Sequence, residues 1–238
     1  MSVAESPVLI LGHRGAPHEA PENTIASFQE AMRQGAHGVE LDVQRSLDGV
    51  PVVIHDDTLE RTTSGRGSVS DLTWEELSSV RAGGEPLPSL AQAVGWAAAA
   101  GAFLNVEIKA PDVEAATLSV LAESGMLERS VISSFSLEIV KTVGDLAPDA
   151  TRYLLREHWG EDALQAIDEA SAQGVCLSVK DASPAALDQL RSRNLPVIVW
   201  TVNDPVRIRE LLRAGVTGVI TNHPAAAVDA ARELGMLR

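Results

Sequence analysis

The chain has 238 residues, 45% of them hydrophobic and 22% charged, with a formal net charge of −14. That length and apolar content suit one barrel-sized globular unit spanning 1–238. The acidic balance, with no lysine/arginine run, argues against a nucleic-acid partner but still allows a small anionic ligand in a local site. A single cysteine, Cys176 in the apolar run Gly-Val-Cys-Leu, excludes an internal disulfide framework, fits a reducing cytoplasm and reads as core. No apolar run is long enough for stable membrane insertion, and residues 1–7 lack the basic and apolar parts of an export signal.

Along the chain, short β-branched runs alternate with longer helical segments. A strand is predicted over 8–13, a helix over 24–34 and a second strand over 38–44. A helix over 89–100 precedes a third strand over 103–109, and a helix over 112–124 precedes a fourth over 131–135. The pattern continues with helix 136–146, strand 151–155, helix 160–172, strand 174–179, helix 184–193, strand 196–202, helix 205–214, strand 218–222 and helix 224–234. Eight such units predict an α/β fold, a (β/α)8 TIM barrel. Ser89 with Gln92 and Thr73 with Glu76 match capping boxes, and Ser183-Pro184 and Asp204-Pro205 match caps before a first-turn proline. Gly35, Gly101, Gly125, Gly174 and Gly215 stand where helices should end. Residues 56–88 break the rhythm. They read as a small insertion after the second strand, folded over one end of the barrel and too short to fold alone.

Side chains alternate faces along a strand, so Glu40 and Asp42 share one face while Val39, Leu41 and Val43 share the other. In the third strand Asn105, Glu107 and Lys109 share a face in the same way. The apolar faces suit the helical layer, which sends the polar ones into the barrel. Glu40 alone would equally suit an ion pair with a basic residue. Glu40, Asp42 and Glu107 together would repel one another unless they take up protons or hold a cation, and an all-oxygen set suits one Mg2+ or Ca2+.

His13 and His55 close strand-like runs beside these acids. A lone histidine there would be structural; a pair flanking a carboxylate cluster suits proton transfer. Arg14 offers a planar fork and Lys109 a point charge for phosphate oxygens, and either also suits an ion pair with the acids. His158, Trp159, Ser178, Lys180 and His223 stand at strand ends where a mouth would form. His18 and His37 read as surface residues, and Trp74 and Trp96 as packing.

The ordered set His13-Arg14-Gly15, Ala20-Pro21-Glu22-Asn23-Thr24, Gly38-Val39-Glu40-Leu41-Asp42-Val43, Asp48-Gly49, Val52-Val53-Ile54-His55-Asp56 and Leu59-Glu60-Arg61-Thr62-Thr63 resembles the signature of glycerophosphodiester phosphodiesterases. Asn105-Val106-Glu107-Ile108-Lys109, Trp200-Thr201-Val202-Asn203 and Gly218-Val219-Ile220-Thr221-Asn222 extend it. The resemblance implies a TIM barrel with a small insertion after its second strand. It implies a divalent cation on Glu40, Asp42 and Glu107, acid–base histidines at His13 and His55, and phosphate contacts at Arg14 and Lys109. It also implies Asn23 beside metal and phosphate, and Trp200 packed on glycerol. The implied reaction releases sn-glycerol 3-phosphate and an alcohol such as choline or ethanolamine, with water or the neighbouring glycerol hydroxyl as nucleophile. Ser46-Leu47 and Asn222 depart from the family's usual residues and are expected to bear on substrate preference rather than chemistry. Rival expectations are a lysophospholipid phosphodiesterase, another phosphate-handling barrel such as an isomerase, and a silent phosphate-ligand binding barrel.

Overall fold

Buried on both faces, the strands of a parallel barrel need runs that are apolar toward the helices, and this sequence supplies them. The computed structural model describes residues 8–237; residues 1–7, read above for an export signal, lie outside them. The chain opens with β1 (Leu9–His13), α1 (Ile25–Arg33), β2 (Gly38–Arg45) and β3 (Pro51–Val53). A short helix α2 (Trp74–Leu77) and a two-stranded ribbon, β4 (Arg81–Ala82) with β5 (Glu85–Pro86), follow. Then come α3 (Leu90–Ala100), β6 (Phe103–Ile108), α4 (Glu114–Glu123), β7 (Ser130–Ser134), α5 (Leu137–Leu146), β8 (Arg152–Arg156) and α6 (Ala163–Glu169). The chain finishes with β9 (Gly174–Ser178), α7 (Pro184–Ser192), β10 (Val197–Trp200), α8 (Pro205–Arg213), β11 (Gly218–Thr221) and α9 (Pro224–Glu233).

Strands β1, β2 and β6 to β11 pair in parallel, and β1 closes the ring by pairing with both β11 and β2. The fold is a (β/α)8 barrel. Val39, Leu41, Val43, Leu104, Val106 and Ile108 face α1, α3 and α4, where they bury fully around Phe28 and Leu90. Val175, Leu177, Val197, Val199 and Val219 do the same beneath α7 to α9. Inside the ring, Leu9, Leu11, Val131, Tyr153, Cys176, Ile198 and Ile220 fill the floor. Cys176 is fully buried there, its Sγ accepting from Asn105 Nδ2 at 3.4 Å, and burial pushes its thiol up to about 12. It is core, as its apolar run suggested.

Strand β3 runs antiparallel to the far end of β2, with Val43 opposite Val53 and Arg45 opposite Pro51. Ile54 N–H donates to the Asp42 carbonyl at 3.1 Å and Gln44 Nε2 to the His55 carbonyl at 3.0 Å, so the chain leaving β3 is hung on β2. Beyond it Val52, Ile54, Leu59, Val69, Leu77 and Leu87 bury one another in a small apolar cluster of their own. Both capping boxes form: Ser89 accepts from Gln92 N and Thr73 from Glu76 N, with the reciprocal bonds in place. Ser183 and Asp204 cap α7 and α8 before their prolines.

Three expectations are corrected. Helix α6 occupies only Ala163–Glu169 of the predicted 160–172, because Asp162 makes no side-chain cap bond and Ser171 turns left-handed at φ 49°. Gly174 therefore does not end a helix; it begins β9, where a Cβ would lie 2.6 Å from the Tyr153 ring. His37 is likewise no surface residue. It is half-buried at the barrel floor, and its Nδ1 accepts from Ile10 N–H at 3.0 Å. Among the described residues no helix is long and apolar enough to cross a membrane.

Candidate active site

Register sets the site. His13 lies opposite Glu40, Glu40 opposite Asn105, and Asp42 opposite Glu107, so neighbouring strands deliver polar side chains at matching heights above the apolar floor. One carboxylate oxygen from each of Glu40, Asp42 and Glu107 lies within 4.8 Å of the others, and all three residues are buried. Burial, then the charges of Asp42 and Glu107, push the Glu40 carboxyl well above its usual range. Burial, then Asp42, push Glu107 up to about 7. Asn23, held at φ 58°, donates from Nδ2 to Asp42 Oδ2 at 2.8 Å, while its Oδ1 accepts from Asp42 N–H at 3.3 Å. Asp42 Oδ1 is buried and has no hydrogen-bond partner; Lys109 Nζ stands off at 3.6 Å. A buried carboxylate-group oxygen left without a partner, beside two further buried acids, suits the all-oxygen donor set that a hard cation takes.

The basic groups surround the acids. Lys109 Nζ donates to Glu107 Oε1 at 2.9 Å. Burial alone would lower the Lys109 ammonium, but Glu107 and Asp42 outweigh it and hold it above its usual range. Arg14 sits in a left-handed turn at φ 55°, a conformation its backbone adopts at a cost of order 1 kcal/mol. That turn aims Arg14 N–H at Glu40 Oε2, 3.0 Å away, and Nη1 at Glu22 Oε1, 2.9 Å away. Arg14 Nε lies 3.2 Å from Asp42 Oδ2 without alignment to donate. Gly15 follows at φ 93°, and a Cβ there would strike Ser27 of α1 at 2.3 Å, so this glycine serves the packing of the loop on the helix.

The two histidines are tied differently. His13 Nδ1 bonds Asn222 Oδ1 at 2.7 Å, leaving Nε2 4.0 Å from Glu40 Oε2. Burial, then the Arg14 charge, lower the His13 pKa. His55 Nδ1 bonds Asp56 Oδ1 at 2.6 Å. The Arg61 guanidinium, more than any other neighbour, holds the Asp56 carboxyl well below its usual range. Both rings line one cavity of about 300 Å3 together with Arg14, Glu40, Glu107 and Lys109. Trp200 forms part of its wall, Nε1 donating to the Cys176 carbonyl at 3.1 Å.

Known proteins resemble this chain over most of its length. The model of the glycerophosphoryl diester phosphodiesterase family matches residues 13–226, which runs from the first histidine past the last strand. The chain belongs to that family. A glycerophosphodiester phosphodiesterase of Caldanaerobacter subterraneus subsp. tengcongensis is 32% identical over 240 residues, 95% of this chain and 99% of that protein. A solved Oleispira antarctica phosphodiesterase, in complex with the product sn-glycerol-3-phosphate, superposes with a TM-score of 0.87 at 26% identity, covering 96% and 99% of the two chains. A glycerophosphodiester phosphodiesterase from Agrobacterium tumefaciens strain C58 superposes at 0.83 with 28% identity, covering 93% and 99%.

All nine residues singled out from the sequence of this family member converge. His13, His55, Arg14, Lys109, Trp200, Glu40 and Glu107 line the cavity, while Asn23 and Asp42 lie buried against it. The rim candidates fare otherwise. Glu157, not His158, reaches the cavity; His158 is exposed, 3.6 Å from Asp181. Trp159 turns away and donates from Nε1 to Gln189 at 2.8 Å. His223 stacks on His18 with ring centroids 4.4 Å apart, and Lys180 is exposed 3.7 Å from Glu157. Ser178 is buried and does not line the cavity. Sequence reasoning gave no role to Asp56 or Glu22, which hold His55 and Arg14, and tied Asn222, which holds His13, to substrate preference rather than chemistry. Phe135, T-shaped against Trp200 with centroids 5.5 Å apart, was also missed. Asp56 and Glu22 were visible as motif members adjoining His55 and Asn23; Phe135 carried no signal beyond its place after a strand.

Proposed function

We propose that this chain hydrolyses glycerophosphodiesters, such as glycerophosphocholine or glycerophosphoethanolamine, to sn-glycerol 3-phosphate and an alcohol, with one Mg2+ or Ca2+ held by Glu40, Asp42 and Glu107. The observation that carries this reading is the unpartnered Asp42 Oδ1 in a buried triad of acids, flanked in one cavity by two histidines whose Nδ1 atoms are both engaged. When bound, the ion would act as a Lewis acid on the phosphodiester.

The chain's own groups do the rest. With Nδ1 occupied, each histidine keeps Nε2 for the cavity. One Nε2 accepts the proton of the nucleophile, water or the neighbouring glycerol hydroxyl, as its oxygen bonds to phosphorus; the other gives a proton to the departing alcohol oxygen as the phosphorus–oxygen bond breaks, and a cyclic diester made by the hydroxyl is opened by water in a second such step. Arg14 and Lys109 stabilise charge growing on the phosphoryl oxygens. Asn23 fixes the Asp42 carboxylate, and Trp200 offers an apolar wall to the glycerol carbons. The reading takes 1–238 as one unit working in the cytoplasm, with 56–88 as a cap on the barrel mouth.

The test is release of sn-glycerol 3-phosphate from glycerophosphocholine, with and without EDTA, restoring Mg2+ or Ca2+ in turn. Release that EDTA abolishes and one ion restores is expected. His13→Ala and His55→Ala should each cost about 10²- to 10⁴-fold in kcat with melting unchanged. Near-normal turnover by either variant, or release only from lysolipid micelles, would overturn the reading.

A further inference from the structure

Arg61 makes a double fork. Its Nε and Nη2 take the two oxygens of Asp56, the second at 2.9 Å. Its Nη1 and Nη2 take the two oxygens of Glu22, at 3.2 and 2.9 Å. Asp56 is the acceptor of His55 Nδ1–H at 2.6 Å, and Glu22 is the acceptor of Arg14 Nη1 at 2.9 Å. One guanidinium thus joins His55 to Arg14 through two carboxylates that it engages at the same time.

The elements involved explain why such a link is needed. Glu22 rides on the loop between β1 and α1, and Asp56 on the chain leaving β3. Register aligns side chains within the barrel strands, but these two loops lie outside any shared ladder. Leu59, fully buried in the small apolar cluster, anchors the segment from which Arg61 projects, and Thr63 N–H closes the turn on the Leu59 carbonyl at 3.1 Å. The Arg61 side chain is 47% exposed. Ion pairs that open stabilise a fold little, so the consequence of this network lies in geometry. A planar fork with two carboxylate partners fixes distances and angles that a point charge leaves loose.

We propose that Arg61 is a positioning residue that holds the His55 imidazole and the Arg14 guanidinium in register with each other, acting through Asp56 and Glu22. This rests on the hydrolytic reading above for its effect on turnover, and on the hydrogen bonds alone for its effect on His55.

The experiment compares wild type, Arg61→Ala, Arg61→Lys, Asp56→Asn and the Arg61→Ala/Asp56→Asn pair. It reads kcat and KM on glycerophosphocholine, the melting temperature, and the tautomer of His55 by imidazole nitrogen NMR. Arg61→Ala should lower kcat by about 10- to 100-fold, with KM moving less and melting unchanged. Arg61→Lys should recover part of that loss. The double variant should be no slower than the slower single one, because both changes break the same link. In wild type the His55 Nδ1 should carry the proton, and in Arg61→Ala the signal should move toward mixed tautomers. Full turnover and an unchanged His55 signal in Arg61→Ala would overturn the inference, as would losses that multiply in the double variant. A wild type inactive on glycerophosphocholine whose His55 signal still responds to Arg61→Ala would sink the hydrolytic reading and leave the positioning intact.

Discussion

Asn222 meets His13 across 209 residues of sequence, and the partner it offers is a neutral amide. An amide oxygen fixes the ring and its tautomer without adding charge, while burial and Arg14 keep the imidazole reluctant to protonate. Asn222→Leu should release the ring and slow turnover by about 10- to 100-fold. Asn222→Asp keeps the acceptor but adds a negative charge, which favours imidazolium and raises the His13 pKa. Any limb of the pH–rate profile that His13 carries should then move to higher pH; an unmoved profile with normal turnover would show that the contact does not matter. The same residue marks a limit of sequence reading. Glu40, Asp42 and Glu107 were legible because a period of two puts polar groups on one face of an otherwise apolar strand. Asn222 was seen only as a departure from family habit, since nothing local says which side chain it will meet.

At the scale of elements, alternation and helix punctuation were enough to locate all eight strand–helix units, and the apolar faces went to the helical layer as expected. The segment after β3 was legible as an interruption holding one helix start, the Thr73–Glu76 capping box. Beyond that cap its pieces gave no signal: a four-residue helix and strands of two residues are too short for any periodicity to register, and they are stabilised by one another's apolar side chains. The close approach of β2 to β6 was equally hidden. At Gly38, the first residue of β2, a Cβ would sit 1.9 Å from the Phe103 carbonyl oxygen, a backbone atom that cannot swing aside. Gly38→Ala should therefore push apart the two strands that carry Glu40, Asp42 and Glu107. A loss of about 3 kcal/mol in urea unfolding is expected, together with weaker cation binding. Gly95→Ala is the control of opposite sign: its Cβ meets nothing within 4 Å in the middle of α3, so it should stabilise by roughly 0.5 to 1 kcal/mol. Equal effects from the two variants would mean that the β2–β6 approach is looser than the register implies.

For the molecule as a whole, the acids at the barrel mouth link stability to pH and, on the proposed reading, to metal. The Glu107 carboxyl is lifted to about 7, and Glu40 is lifted in the same direction, both from an ordinary 4.5. Between these values the native state holds a proton that the unfolded chain has released. The stabilisation is therefore complete below about 4.5 and is lost as pH rises to about 7. Glu22 and Asp56 are shifted downward and contribute in the opposite sense, but their loss falls on the acid side of that window. In EDTA, the melting temperature should decline by roughly 5 °C between about pH 5 and pH 7, as expected for a linkage of about 2 kcal/mol. A saturating cation takes the place of the proton, so Mg2+ or Ca2+ should flatten the decline, and its affinity should weaken by about tenfold for each pH unit below 7 that reprotonates one ligand. Glu40→Gln/Glu107→Gln removes both charges. The variant should melt higher than wild type at pH 8 in EDTA and should gain nothing from either ion. A wild-type melting temperature that rises from pH 5 to 7 in EDTA, or a variant still stabilised by the cation, would show that the triad is neither strained by its own charge nor the seat of the ion.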